Sequence, residues 1–305
     1  MTVSDVVIDS IEMEEQSEEI EGLHGSFDMG AVYKGRDISV PFSFEGQNMA
    51  SYSTFRDLVY KLTTSNEPYY IEEIRRATVA GYTFKDTKES NAVSLDQYNR
   101  ETVYDTPQSD NDVNTGKRYL VRLSDAIEIE QSKHTAKGKG ELTFHTVELP
   151  FGESVGTSLS LESEGLAYKK NSVWAFGMGL SRNPETRRYT FNLNDSGVFD
   201  VYNAGDVPID QFNQYLKLII TFNEDIDGYF RFGFNDLDAV IDSRMSPIKA
   251  GDVLTYEKGA YFINGKNITH ATNYYMPELK VGMNKLKFNR LYNAEFKVDC
   301  RYYYL

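Results

Sequence analysis

Short stretches in which large apolar residues occupy every second position limit most strongly how this chain can fold. Between residues 216 and 222 the alternating apolar positions are Leu216, Leu218, Ile220 and Phe222. Side chains two residues apart lie on the same face of a β-strand, so each such stretch predicts a strand with one buried face. The pattern recurs between polar turns through most of the chain, which predicts a mainly β protein.

The composition agrees with this fold class. Of the 305 residues 40% are hydrophobic, and the aromatic residues comprise 22 Tyr, 18 Phe and a single Trp, a balance that favours strands. The length allows two domains. We expect an N-terminal β-sandwich-like domain with one amphipathic helix over residues 1–150 and a C-terminal β-sandwich over residues 151–305, with residues 150–157 as the linker.

A clear strand is predicted between residues 37 and 45 of the N-terminal domain. Its apolar face consists of Ile38, Val40, Phe42 and Phe44. Pro41 lies on the opposite face, and because proline cannot donate to a strand ladder, we expect this strand at a sheet edge or with a bulge. Further strands are predicted at 69–84, 118–130 and 141–149, with a turn-rich connector at 133–140.

Helical spacing replaces the alternation between residues 51 and 64. The residues expected on the buried side of this helix are Tyr52, Phe55, Leu58, Val59 and Leu62. Ser51 or Ser53 is the expected N-cap. Asp57 and Lys61 are spaced for an i,i+4 ion pair, and the helix should end by Pro68.

Two segments of the N-terminal half differ from the rest in composition. Residues 85–117 are rich in Asn, Asp, Ser and Thr and have few large apolar residues, which predicts an extended insertion or loose hairpin that proteases cut first. The first 21 residues carry six glutamates, which predicts a solvated edge strand or arm. They lack the basic and apolar regions of a secretory signal.

Charge and cysteine content exclude several classes of protein. A formal net charge of −14 and a pI near 4.8 argue against specific nucleic-acid binding. No apolar run is long enough to cross a bilayer, so no membrane insertion is expected. The single cysteine, Cys300, excludes an internal disulfide and fits assembly in a reducing cytosol. It alternates with apolar residues in the last predicted strand, which favours a core position over a nucleophile.

No arrangement of residues predicts catalysis, a cofactor site or a metal site. The four histidines are not at metal-ligand spacing; they are His24, His134, His145 and His270. Asn223, Asp225, Asp227 and Gly228 resemble the opening of a calcium loop. The twelfth position is Phe234 instead of the bidentate glutamate, which favours a polar turn between two strands.

An alternative function is a carbohydrate-binding module that contacts cell-wall polysaccharide. Trp174 and the tyrosines could offer aromatic faces to sugars, although aromatic residues at alternating positions more often fill a sandwich core. A glycosidase needs two carboxylates in a cleft, and among 46 acidic residues such pairs arise by chance. The segment Asn267-Ile268-Thr269 matches a glycosylation acceptor, which we attribute to chance in the absence of a secretory signal.

The order of several short motifs is more specific than any one of them. In the first half they are Gly25-Ser26-Phe27, Gly35-Arg36-Asp37-Ile38-Ser39-Val40, the helix Phe55-Arg56-Asp57-Leu58-Val59-Tyr60-Lys61-Leu62, Tyr69-Tyr70-Ile71, Gly140-Glu141-Leu142-Thr143-Phe144 and Pro150-Phe151-Gly152-Glu153-Ser154. In the second half they are Asn203 with Gly205-Asp206-Val207-Pro208-Ile209, Gly251-Asp252-Val253-Leu254, Asn264-Gly265-Lys266, Val281-Gly282-Met283-Asn284-Lys285-Leu286 and Cys300-Arg301-Tyr302-Tyr303-Tyr304-Leu305. In this order the sequence resembles the distal tail protein (Dit) family of siphophages that infect Gram-positive bacteria. The insertion at 85–117 and the initial glutamates depart from the family pattern.

The resemblance implies a structural protein and not an enzyme. Six copies would form a ring at the distal end of the tail tube, built by the N-terminal domains, with a galectin-like C-terminal sandwich projecting outward. The implied partners are further copies of the chain, the tail tube protein, a tail-associated lysin or fibre hub protein, and receptor-binding or other baseplate proteins. The implied location is the virion tail tip, after assembly in the host cytoplasm. The acidic excess would let the ring lumen repel DNA.

Overall fold

The structure is a computed structural model that describes residues 1–22, 24–76, 94–95, 101–102, 112–166, 173–175 and 177–305. For residues 75–76, 94–95, 101–102 and 112–113 it describes the backbone alone. The fold is mainly β, as predicted, and two separate clusters of buried apolar side chains form its cores.

The described residues of the N-terminal half form short and medium-length strands around one helix. The strands are β1 (Thr2–Val3), β2 (Val7–Ile8), β3 (Met13–Glu19), β4 (Ser26–Tyr33), β5 (Asp37–Glu45), β6 (Tyr69–Arg76), β7 (Ser94–Leu95), β8 (Glu101–Thr102), β9 (Asp112–Leu123), β10 (Ile129–Gln131), β11 (Lys137–Thr146) and β12 (Gly152–Ser154). The helix α1 spans Met49–Thr63. In the main sheet β11 lies between β5 and β9, and β9 in turn pairs with β6 and β12.

Strand β5 has the predicted buried face, but the prediction of an edge position or a bulge at Pro41 is wrong. On one side β5 pairs with β11, and on the other it pairs with β1 and β2. The second ladder is interrupted between β1 and β2, where the Ser4 N–H donates to the Pro41 carbonyl oxygen (2.8 Å). Because the N–H and C=O of a strand residue point to the same side, the missing donor of Pro41 falls in this gap.

Helix α1 begins earlier than predicted, and its N-cap is Asn48 instead of Ser51 or Ser53. The Asn48 side chain accepts a hydrogen bond from the Ser51 N–H (2.9 Å), and the Ser51 hydroxyl accepts one from the Asn48 N–H (3.2 Å). This reciprocal capping box satisfies two backbone donors that a helix start leaves unpaired. The helix ends at Thr63, before Pro68 as predicted.

The buried side of α1 is narrower than the sequence predicted. Tyr52 and Val59 are buried and Phe55 is half-buried, stacked against the Phe44 ring at 6.2 Å. Leu58 and Leu62, which were predicted on the same side, are 45% and 72% exposed. Two apolar positions of the helix therefore face outward.

The polar segment predicted at 85–117 ends earlier than expected, because β9 begins at Asp112 and not near Arg118. Strand β6 pairs with β9 from Tyr69 opposite Val121 to Arg76 opposite Asp112, with one register irregularity. Within the segment β7 pairs with β8, which agrees with the predicted hairpin. The rest of the predicted insertion, and residues 77–84 of the strand predicted before it, lie outside the described residues.

The connector predicted at 133–140 is also too long, since β11 already begins at Lys137. Gly138 and Gly140 occupy positions of this strand at which neighbouring atoms leave no room for a side chain. A Cβ atom at Gly138 would come within 2.5 Å of the Phe44 ring, and one at Gly140 within 2.7 Å of the Glu128 carbonyl oxygen. Glycine in a strand interior is typical of such close approaches.

The C-terminal half is a β-sandwich, as predicted. Its strands are β13 (Thr190–Asn192), β14 (Val198–Asn203), β15 (Leu216–Phe222), β16 (Tyr229–Phe234), β17 (Ala239–Asp242), β18 (Val253–Glu257), β19 (Ala260–Ile263), β20 (Lys266–Asn267), β21 (Gly282–Phe288), β22 (Ala294–Cys300) and β23 (Tyr303–Tyr304). One sheet has the order β13-β22-β15-β18-β19-β20 and the other β14-β21-β16-β17. Aromatic rings join the two sheets, with Phe222 meeting Phe230 at 5.1 Å and Phe232 meeting Phe296 at 5.4 Å.

The prediction of a linker at 150–157 is wrong, and the sequence did not predict the helix that follows it. Residues 152–154 form β12, and α2 spans Ser158–Glu164. The Ser158 hydroxyl donates to the Val298 carbonyl (2.7 Å) and accepts from the Cys300 N–H (2.9 Å). Beyond the end of β13, strand β22 has no strand partner on this side among the described residues. The Ser158 side chain supplies there the hydrogen bonds that a neighbouring strand would otherwise make.

The two halves share a sheet at a seam formed by β12 and β23. Strand β12 pairs with β9 on one side and with β23 on the other, so the end of the chain extends the N-terminal sheet. The last strand predicted from the sequence is therefore interrupted after Cys300. Tyr303 is buried, and so are the residues on either side of it. Arg118 forms an ion pair with Glu153 at 2.6 Å, and Arg301 donates to the Ser154 carbonyl at 2.6 Å.

Candidate assembly surfaces

The described residues contain no group of three or more His, Cys, Asp or Glu side chains arranged to hold a metal ion. The Nδ1 atom of His145 forms a surface hydrogen bond with Asp37 Oδ1 at 2.7 Å. His24 lies in a bend, His134 in a turn and His270 in the short 3-10 helix Thr269–Ala271, all separate from one another. In the described part of the chain no helix has the length and apolar character needed to cross a bilayer.

The calcium-like segment is a turn between β15 and β16, and the carboxylate of its Asp225 already binds other groups of the protein. Asp225 binds the Lys249 ammonium at 2.9 Å and accepts a hydrogen bond from the Ala250 N–H, also at 2.9 Å. The Lys249 contact, with the Ala250 N–H, holds the pKa of Asp225 below its usual value. These contacts fasten one loop to another and support the interpretation as a polar turn.

Trp174 and Cys300 are core residues. Trp174 is only 4% exposed and packs against the Tyr302 ring at 6.2 Å, so it presents no face to a sugar, and the observation that motivated a carbohydrate platform is lost. Cys300 is completely buried, and this burial raises the pKa of its thiol to about 12. A thiol in such surroundings stays protonated and is a poor nucleophile, as predicted.

Strands β3 and β4 form a hairpin, here called the arm (residues 13–22 and 24–33), in which every described residue is exposed. The predicted acidic arm is thus confirmed. Alternation along β4 places Phe27 and Met29 on one face; a register shift beside Gly30 separates them from Tyr33, which lies opposite Met13 of β3. Phe27 is 66% exposed. The arm combines this apolar face with six carboxylates and has no lysine or arginine; the carboxylates are Glu14, Glu15, Glu18, Glu19, Glu21 and Asp28.

Contacts with the segment before β12 hold the root of the arm. The Tyr33 ring meets the Phe151 ring edge-on at 5.7 Å. Nearby, Arg36 is almost completely buried; its Nε donates to the Pro150 carbonyl (2.8 Å), and its backbone N–H donates to Thr146 Oγ1 (3.0 Å). Desolvation lowers the pKa of the Arg36 guanidinium. The base of the arm is therefore fixed while the rest extends from the domain.

A second exposed surface lies on α1 and is here called the ridge (Leu58, Lys61 and Leu62). Leu58 and Leu62 are one helical turn apart and lie side by side on the helix surface. The predicted ion pair between Asp57 and Lys61 is absent, because Asp57 binds the neighbouring Arg56 at 2.9 Å. Lys61 is thus left without an ion-pair partner within the described residues, beside two exposed leucines.

The C-terminal sandwich presents a third surface at the loop between β14 and β15. The buried side chain of Gln214 accepts hydrogen bonds from the backbone N–H groups of Asp210 and Gln211 and donates to the Pro208 carbonyl. These bonds hold the loop in one shape, and the loop leaves the ring of Phe212 more than half exposed. An ordered aromatic side chain of this kind is typical of a contact site for another protein.

The comparisons with known proteins agree with an assembly role. Residues 1–146 match the family described as phage tail protein RIFT-related domain. This match indicates the class: residues 1–146 are similar to a domain of phage tail proteins.

Solved structures specify the fold further. The chain is similar to SPP1 Dit (gp 19.1), described as a paradigm of the hub adsorption apparatus in Gram-positive-infecting phages, with 11% identity and a TM-score of 0.59 over 99% of this chain and 93% of that one. A chain of the phage p2 baseplate in its activated conformation with Sr matches with 9% identity and a TM-score of 0.35 over 96% and 90%. No curated protein matches the sequence.

These findings confirm the resemblance predicted from the motifs. The chain has the fold of SPP1 Dit along nearly its whole length, and the matched family and SPP1 Dit are structural phage proteins, not enzymes. The sequence motifs did not indicate the ridge or the Phe212 loop. Leu58 and Leu62 have helical spacing suited to a core, and only their exposure in the structure distinguishes them from core residues.

Proposed function

We propose that the protein forms a closed ring at the distal end of a phage tail tube and serves there as the hub for tail-tip components. Six N-terminal halves build the ring, and the C-terminal sandwiches face outward. The partners are the tail tube protein on one side, a tail-associated lysin or fibre hub protein on the other, and receptor-binding or other baseplate proteins outside. The ring assembles in the host cytoplasm and is located at the virion tail tip.

The observation that carries this proposal is the exposed apolar surface of the N-terminal half. The half that matches the tail-protein family also holds the arm and the ridge, whose large apolar side chains have no cover in the single chain. Soluble monomers rarely leave such side chains grouped at the surface, whereas subunit contacts use them. A stable contact between two ring subunits needs more than about 1,000 Å² of buried surface.

The seam between the halves supports a hub role for the outer domain. Because β23 extends the N-terminal sheet, a force or displacement at the sandwich acts directly on the ring-forming half. The acidic surplus of the chain suits a lumen that repels DNA and lets it pass. A ring whose lumen is neutral or basic would contradict this last point.

The test is the mass and shape of the purified full-length protein in solution. Light scattering and native mass spectrometry are expected to give a species of six subunits, and electron microscopy a ring with a central opening. Addition of the tail tube protein should shift this species to a larger complex. A strict monomer that binds wall polysaccharide tightly would overturn the proposal in favour of the carbohydrate-binding alternative.

A further inference from the structure

The arm lacks the contacts that normally stabilise a pair of strands. An isolated two-stranded hairpin is marginally stable in water unless a third strand or a packed surface covers one face. Among the described residues the arm has neither, and beyond its root even Phe27 and Met29 are exposed. A surface that covers the arm must match its apolar and acidic character.

The ridge on α1 has the complementary character. Leu58 and Leu62 offer apolar area beside Lys61, which has no ion-pair partner within the described residues. The arm offers an apolar face bordered by carboxylates and has no lysine or arginine, although Glu14 is paired with Lys34 just beyond it. Each of the two surfaces thus combines exposed apolar side chains with charge, and the two charges are opposite. This combination is the usual basis of a specific protein contact.

The arm and the ridge do not cover each other within one chain, since both stay exposed there. They are also two different patches of the same half of the molecule. A contact between two different patches is heterologous, and repetition of such a contact around an axis closes a ring. The eight residues of β4 span about 26 Å, a reach suited to an adjoining subunit.

We propose that the arm of one copy docks through Phe27 and Met29 on the ridge of the next copy, with Lys61 facing the carboxylates of the arm. This inference rests on the proposed ring and names the surfaces that close it. The occupant of the ridge is thus a second copy of this chain.

Cross-linking tests the contact directly in the full-length protein. The double variant Phe27→Cys/Leu62→Cys introduces one thiol on the arm and one on the ridge, and the native Cys300 stays silent because it is buried. A short bismaleimide is expected to join the chains into a covalent ladder that reaches six subunits on a denaturing gel. The matched control Phe27→Cys/Tyr274→Cys, with its second thiol at an exposed site of the sandwich, should give no ladder.

A charge variant provides an independent measurement. Leu62→Glu brings a carboxylate against the acidic arm, and like charges placed opposite each other across an interface are strongly unfavourable. Because Leu62 is exposed, the circular dichroism and melting temperature of the subunit should not change, while the protein concentration needed for ring formation should rise more than about tenfold. Leu291→Glu, at an exposed position of the sandwich, is the control and should leave the ring intact.

The outcomes separate the docking from the ring itself. A ring by native mass that gives no ladder from the Phe27→Cys/Leu62→Cys protein, or that tolerates Leu62→Glu, overturns the arm–ridge contact and leaves the proposed function standing. Absence of any ring from the unmodified protein overturns both.

Discussion

Replacement of Tyr303 by phenylalanine tests how firmly the seam joins the two halves. Tyr303 is fully buried in β23, and its hydroxyl accepts a hydrogen bond from the Tyr215 N–H at 2.5 Å. Its carbonyl oxygen accepts from the Asp206 N–H at 2.8 Å, a backbone contact that the substitution leaves in place. The variant Tyr303→Phe keeps the ring and removes one acceptor, so the Tyr215 N–H loses its partner inside the protein.

The magnitude follows from the cost of a donor without a partner. Loss of one partner in a protein interior costs about 1–3 kcal/mol, whereas the phenyl ring itself retains nearly all of its apolar burial. For a chain of this length about 1 kcal/mol corresponds to roughly 2 °C in melting temperature, so we expect a fall of about 2–6 °C. The control is Tyr274→Phe, because Tyr274 is exposed and its hydroxyl makes no hydrogen bond within the described residues.

The assay is equilibrium unfolding in denaturant, followed by the fluorescence of Trp174 and by circular dichroism. Trp174 is the single tryptophan and reports on the C-terminal core, whereas circular dichroism reports on strands of both halves. Tyr303→Phe should lower both transitions together because β23 belongs to both halves. Equal stability of Tyr303→Phe and Tyr274→Phe would refute the reasoning, as would a loss confined to one transition.

Three further predictions concern the cores and the buried titratable groups. Val59→Asp should abolish folding of the N-terminal half, measured by circular dichroism, because it places an unpaired charge in the core. Phe55→Asp should lower the melting temperature less, because Phe55 is only half-buried. Equal effects of the two variants would contradict the observed buried face of the helix. Cys300 should resist alkylation at neutral pH until denaturant unfolds the chain, and modification of the folded protein would contradict its burial. Burial raises the pKa of several tyrosines in the folded chain above its value in the unfolded chain. Their contribution to the free energy of unfolding is therefore complete below pH 10. It falls as the pH rises above that value, by about 1.4 kcal/mol per pH unit for each of them. These tyrosines are Tyr189, Tyr302, Tyr303 and Tyr304. A cooperative alkaline transition in tyrosinate absorbance is expected, and a gradual titration of all tyrosines with the fold intact would contradict it.

Strands with a clear alternation were predictable because their burial depends on a local pattern. The apolar positions of β5, β15 and β22 are buried as the sequence indicated, and the Asn264-Gly265 pair, which is typical of a hairpin turn, has positive φ at both residues. The core position of Cys300 followed from the same reasoning, and the solvated acidic arm followed from its run of glutamates. The prediction that proteases cut first within 85–117 stays a prediction.

Errors arose where a residue's role depends on a partner that is distant in sequence. Pro41 lies in an interior strand because β1 and β2 leave a gap beside it, which the sequence around Pro41 does not reveal. Residues 150–157 look like a linker by composition, yet β12 is held between β9 and the last strand of the chain. The helix α2 escaped prediction because seven residues are too few for a periodic signal.

The amino-acid sequence by itself determined the mainly β class, the sandwich of the second half and the acidic arm, since each follows from side-chain spacing and charge along a continuous stretch. Only the tertiary structure decided that the two halves share a sheet at the seam and that Leu58 and Leu62 remain outside the core. The physical reason is that periodicity shows which side chains share a face, whereas the packing of distant segments decides whether that face is covered.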